Sequence, residues 1–251
     1  MTTRNRYVNG VIESFDDVTQ EMVNSSAPNF WWEDFVGASH AAGIPTSVTQ
    51  GYPWVKKIVG SGPPTVAPIA NASGGQVQLV LTATSEKEDA ALYYGDSLCW
   101  DFSKGLVFEA RAALTVPPSA AGVQVVIGLA SAWIDGPDNF SRYIEFGCTA
   151  NANLLCRSQD GVTQNSIAAA PIGGAAITLD TNFHNFRIRA VSDRGDLEFA
   201  LDGNRVNVVN ALAFTKSDST AILQPYFAVY KPSGTGLATL VVDKIVVASN
   251  R

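Results

Sequence analysis

Charge is scarce in this sequence. Only 16% of its 251 residues are Asp, Glu, Lys or Arg, where a typical soluble domain has about a quarter. The net charge of −6 lacks the basic stripe that a phosphate backbone requires, so nucleic acid is excluded as a partner. No apolar run approaches the ~20 residues of a membrane-spanning helix. The polar stretch Met1–Gly10, with Arg4 and Arg6, has no apolar signal region, so the chain reads as a protein made in the cytoplasm without an export signal. Cys99, Cys148 and Cys156 show no zinc-type pairing and leave one thiol over in any disulfide scheme. Cys148 and Cys156 could face each other across a hairpin near Ala152, but buried free thiols are the favoured reading. His40 and His184 are the only imidazoles. With no Gly-x-Ser-x-Gly elbow and no phosphate loop, a nucleophile, base and orienter have little to draw on.

What the chain does have is alternation. In Phe183–Val209, Phe186, Ile188 and Ala190 oppose Arg187 and Arg189, and Leu197, Phe199 and Leu201 alternate with Glu198, Ala200 and Asp202. Asp193–Asp196 and Asp202–Asn204 supply turn residues, giving an antiparallel meander. Further strands are expected at Val77–Leu81, Ala90–Tyr94, Leu106–Val116, Val123–Ala130, Arg142–Cys148, Leu154–Ser158, Gln224–Tyr230 and Leu240–Ala248. Val123–Ala130 is nearly continuous apolar, as in a strand buried on both faces. A count of roughly a dozen strands with few helices points to an all-β, two-sheet antiparallel jelly-roll sandwich over residues 30–251.

Residues 1–29 differ and read as an N-terminal arm with a short helix over Phe15–Asn24, capped by Ser14. The thin apolar stripe of Val18, Met22 and Val23 cannot bury much alone, so the arm packs on the domain or docks on another subunit. Phe30, Trp31, Trp32 and Trp54 form an aromatic concentration. They either anchor the first strand in the core or at a subunit contact, or offer a platform for sugar rings.

Asp34-Phe35-Val36-Gly37, Gly105-Leu106-Val107-Phe108-Glu109-Ala110-Arg111, Ile127-Gly128-Leu129-Ala130, Phe199-Ala200-Leu201-Asp202-Gly203 and Leu240-Val241-Val242-Asp243-Lys244-Ile245 together resemble concanavalin A-like lectin and glucanase jelly rolls, in particular those among tailed-bacteriophage structural proteins. The resemblance implies a virion structural protein without enzymatic activity, most simply a capsid decoration or cement protein on the capsid surface, assembled in the host cytoplasm. Its expected partners are the major capsid protein and its own copies, as a homotrimer. The arm residues Arg4, Arg6 and Tyr7 and the aromatic run Phe30, Trp31 and Trp32 are the expected contacts. The alternative is a glycan-binding adhesin of a head or tail fibre, stacking sugars on Trp54, Tyr93 or Tyr94.

Related glucanases carry Glu-x-Asp-x-Glu or Glu-x-Asp-x-x-Glu on one strand, because retaining hydrolysis needs an acid and a nucleophile at the same bond. That spacing is missing. Glu109 and Glu145 each stand alone and read as solvated or Arg-paired, and Glu86-Lys87-Glu88-Asp89 reads as a solvated turn. Asp135-Gly136-Pro137-Asp138-Asn139 has oxygen ligands but falls short of the six to eight a calcium site uses, so no metal or cofactor is assigned.

Overall fold

The computed structural model describes residues 3–8, 11–16, 22–25, 29–37, 40, 42–49, 51–190, 196–207, 212, 214 and 222–249, with backbone alone for those before 29 and for 151. In chain order the strands are β1 (Thr3–Val8), β2 (Val11–Asp16), β3 (Met22–Ser25), β4 (Asn29–Glu33), β5 (Val55–Val59), β6 (Thr65–Pro68), β7 (Val77–Val80), β8 (Glu88–Tyr93) and β9 (Trp100–Asp101). They continue as β10 (Val107–Val116), β11 (Gln124–Ala130), β12 (Tyr143–Cys148), β13 (Leu154–Gln159), β14 (Gln164–Ala168), β15 (His184–Ala190), β16 (Leu197–Leu201), β17 (Asn204–Arg205), β18 (Ile222–Lys231) and β19 (Thr239–Ser249).

Two eight-stranded antiparallel sheets form a sandwich, the jelly-roll class expected from alternation. The first runs β17-β16-β15-β10-β19-β7-β6, with β4 on β19, and the second β14-β13-β12-β11-β18-β8-β5, with β9 on β18. The period of two drives the packing: Phe108, Phe186 and Phe199 of the first sheet meet Phe146 and Phe227 of the second, all at most 1% exposed. Phe146 contacts Phe186 and Phe199 edge to face, at 5.2 and 5.0 Å between centroids, the offset that the ring quadrupole favours. The meander appears as β15-β16-β17, with residues 191–195 outside the described part. Strand β11 is buried on both faces.

The N-terminal region departs from expectation. Thr3–Val8, Val11–Asp16 and Met22–Ser25 form a three-stranded sheet, β1-β2-β3, that among the described residues pairs with neither main sheet. Phe15, Asp16 and Met22–Asn24 therefore lie in strands where a helix over Phe15–Asn24 was expected. The tyrosine, phenylalanine and β-branched residues of Tyr7-Val8 and Val11-Ile12…Phe15 favour the pleated form over a weakly capped helix. Among the described residues no helix is long and apolar enough to cross a membrane.

Candidate functional site

The second sheet's outer face is the most elaborate chemical environment in the molecule. Cross-strand register aligns Tyr93, Tyr226, Gly128, Glu145 and Arg157 in one row across β8, β18, β11, β12 and β13. Two strand glycines make room for it. A Cβ on Gly128 would lie 2.4 Å from the Ile144 carbonyl oxygen and 2.8 Å from Glu145 Cβ, and one on Gly147 would lie 2.8 Å from Arg157 Cδ, which is why glycine stands in otherwise β-forming sequence.

The connection between β11 and β12, residues 131–142, folds back over this row as a strap. Phe140 packs edge-on against Tyr226 at 4.7 Å. Asp138 receives hydrogen bonds from Arg157 Nη2 and from Gln124 Nε2, at 2.5 and 2.6 Å. Asp135 is paired with Lys87. The Trp133 ring lies under Lys57, 4.6 Å from its ammonium, and its backbone N–H donates to Asp96. Asp135–Asn139 is thus a turn whose two carboxylates are held by cations, and no group of three or more metal-type side chains occurs among the described residues.

Under the strap, Glu145 is fully buried and its Oε1 lies 2.8 Å from Arg157 Nη2, an ion pair without hydrogen-bond alignment. Burial pushes its carboxyl up to about 7, although Arg157 works against the shift. For Arg157 burial opposes the charge, but Glu145 and Asp138 hold the guanidinium above its ordinary value. Asp89, on the neighbouring part of this face, is fully buried with neither oxygen hydrogen-bonded. Burial pushes it too to about 7, and the Gly136 amide, near but not aligned for a hydrogen bond, opposes this only in part. Tyr226 is buried with its hydroxyl unpartnered, and burial together with Asp89 and Glu145 raises it well above its usual range.

Asp89 and Glu145 are three strands and four residues apart in register. At ~4.8 Å per strand and ~3.4 Å per residue, their α-carbons lie roughly 20 Å apart, on either side of Tyr226. They are two acidic positions rather than one pair, since hydrolytic carboxyl pairs sit about 5–9.5 Å apart.

The charged run Glu86–Asp89 is not the solvated turn expected from sequence. Glu88 and Asp89 open β8 and are fully buried. Glu88 accepts from Thr82 and Thr84 and pairs with Lys231, itself buried and donating to the Thr82 and Thr84 carbonyls at 2.6 Å. Lys231 lies 143 positions further along the chain than Glu88, so a local pattern could not show the compensation. Glu145 is Arg-paired but buried, and Glu109 on the other sheet pairs with Arg187.

The aromatic candidates divide. Trp54 is wholly buried, its ring against Trp31, Tyr94, Phe35 and Phe227 and its indole N–H donating to Glu33. It presents no ring face to a sugar in solution. Tyr94 is 8% exposed in the same cluster, and Tyr93 is 7% exposed on the strapped face. Of the run on β4, Trp31 packs inward and Phe30 is half-buried, while Trp32 is 53% exposed. Arg4, Arg6 and Tyr7 fall in β1, and their side chains lie outside the described residues. Cys148 and Cys156 are free and buried, opposite Leu154 and Phe146 rather than each other.

No family model matches the chain, and no curated protein matches it in sequence. Solved structures do match the fold. A pseudo β-1,3-glucanase and immunostimulatory antigen of Mycobacterium tuberculosis superposes with a TM-score of 0.55 at 16% identity, covering 88% of this chain and 98% of that one. A glycoside hydrolase family 16 endo-glucanase from Bacteroides ovatus gives 0.57 at 10%, covering 86% and 98%. The carbohydrate recognition domain of Emp46p gives 0.51 at 9%, covering 83% and 97%. The body is a concanavalin A-like jelly roll.

These matches correct the expectation that the chain is not an enzyme. That expectation rested on a carboxylate spacing missing from single strands. The fold is one on which named glucanases are built.

Proposed function

We propose that the protein is a structural component of a virus particle, a capsid decoration or cement protein whose jelly-roll body is held on the shell by its N-terminal sheet. The observation that carries this reading is that β1-β2-β3 pair with one another and, among the described residues, with no strand of the sandwich. A sheet of three short strands has too little surface to be stable unless one face is covered, and a shell subunit or a second copy supplies that cover. The exposed Trp32 on β4, a few residues beyond the arm, adds an aromatic anchor of the kind enriched at protein contacts. The resemblance of the strand motifs to phage structural jelly rolls supports the same assignment, and a closed trimer around a local symmetry axis is the arrangement that suits it. Deleting residues 2–28 tests it: the body should fold and fail to attach to purified capsids. Attachment equal to that of the full chain would overturn the role given to the arm.

A second reading, a carbohydrate-binding or carbohydrate-cleaving module such as a fibre adhesin, is favoured by the glucanases and the carbohydrate recognition domain among the structural neighbours and rests on fold likeness alone. Binding or hydrolysis of a polysaccharide by the purified protein, with no attachment to capsids, would establish it in place of the first.

A further inference from the structure

The first sheet's outer face carries a groove of about 400 Å³, open to solvent and on the opposite sheet from the strap. Its floor is two rows of cross-strand partners on β15, β10 and β19: Asn185, Arg111 and Lys244 in one, and Arg187, Glu109 and Val246 in the next. We propose that this groove binds an acidic saccharide, with Arg111 and Lys244 receiving its carboxylate and Glu109 accepting from its hydroxyls.

Arg111 and Lys244 are directly opposite each other, and like charges in that position repel. The bulge that inserts Asp243 between the partners of Arg111 and Ala112 re-aims this part of β19, and Asp243 takes an ion pair with Arg111. Bulges of this kind are concentrated beside functional sites. The Arg111 guanidinium is further fixed over the Phe183 ring, 4.3 Å from its centroid, so its free donors are pre-oriented. Lys244 makes no ion pair among the described residues, which leaves one cation of the opposed pair without a counter-charge. An anion between them relieves the repulsion.

Glu109 decides what sort of anion. Glu109 is paired with Arg187 in the adjacent row, so that row offers carboxylate oxygens to hydroxyl donors without a free negative charge, and a sugar acid can give its hydroxyls to Glu109 and its carboxylate to Arg111 and Lys244. The volume suits one or two sugar rings rather than a folded partner. Val246 at the groove's edge lies opposite Trp32 of the proposed capsid contact, but Arg111, Lys244 and Glu109 are not among the contact residues, so substitutions at these three test the saccharide site apart from capsid attachment.

The test is titration of the full-length protein with a short oligogalacturonide, a neutral cello-oligosaccharide of equal length, and inorganic phosphate. The oligogalacturonide should bind and the other two should not. Lys244→Glu should weaken its binding at least tenfold and Glu109→Gln should also weaken it, both with an unchanged unfolding temperature. No binding of the oligogalacturonide, binding unmoved by Lys244→Glu, or phosphate binding that Glu109→Gln strengthens would each overturn the proposal, the last by showing a simple ion site.

Discussion

The two sheets share one core and present opposite kinds of face to the outside. On the second sheet, residues 131–142 lie across the strands, and Asp89, Glu145, Arg157 and Tyr226 are taken out of water with some of their polar atoms unpartnered. On the first, Arg111, Glu109, Arg187 and Lys244 stand on strands of the same pleat with solvent beside them. The difference lies in the connections. The segment between β11 and β12 contains Trp133, Phe140 and Asp138, each with a partner on the sheet below, and Asp135, paired with Lys87 just before β8. A charged side chain therefore means different things on the two faces: under the strap it is part of the folding free energy, and on the open face it is available to a ligand.

The sharpest way to break this contrast is Arg157→Met. It leaves Glu145 buried without its cation, and removing one partner of such a pair costs about 3–5 kcal/mol. The loss should be read in urea unfolding at pH 8 and should shrink at pH 5.5, where Glu145 is protonated in the folded state. A cost independent of pH would mean that Arg157 acts only by packing.

Asp89→Asn should have the opposite sign. The folded-state carboxyls of Asp89 and Glu145 are raised to about 7, above their unfolded values, so the folded state binds more protons and stability falls as pH rises from about 4 through 7. Replacing Asp89 removes its share of that decline. The variant should be more stable than the native protein at pH 8 by roughly 1–3 kcal/mol and indistinguishable near pH 4.

Asp138→Ala, which loosens the strap at a half-exposed residue, should cost about 1 kcal/mol or less, read as faster hydrogen exchange of residues 131–142 more than as a shift in global unfolding. Smallest of all, Lys244→Glu on the open face should change stability by no more than about 0.5 kcal/mol. A Lys244→Glu effect as large as that of Arg157→Met would erase the distinction between the faces.

The strands were legible because alternation is local. Phe186, Ile188 and Ala190 or Val125, Ile127 and Leu129 carry the period of two in adjacent residues, and the sandwich follows from their sum. The strapped face was not, because its compensation is distant. Glu86-Lys87-Glu88-Asp89 looks solvated until Lys231 and the Thr82–Thr84 hydroxyls are placed beside it, and Glu145 looks isolated until β13 brings Arg157 across. Trp54 lies between the two cases: the sequence leaves a core anchor and a sugar platform side by side, and Glu33 and Trp31 closing over its ring decide for the core. A usable signal did exist in Gly128 and Gly147, glycines inside strands with no turn to serve, which mark the places where large side chains cross the sheet.

The central claim, that this jelly roll is a particle component held by its N-terminal sheet, is tested most directly by its copy number in purified virions, measured by quantitative mass spectrometry against the major shell protein. A ratio close to that of the shell subunit is the expected result. A few copies per particle would place it on a tail or fibre, and its absence from particles would contradict the capsid assignment outright.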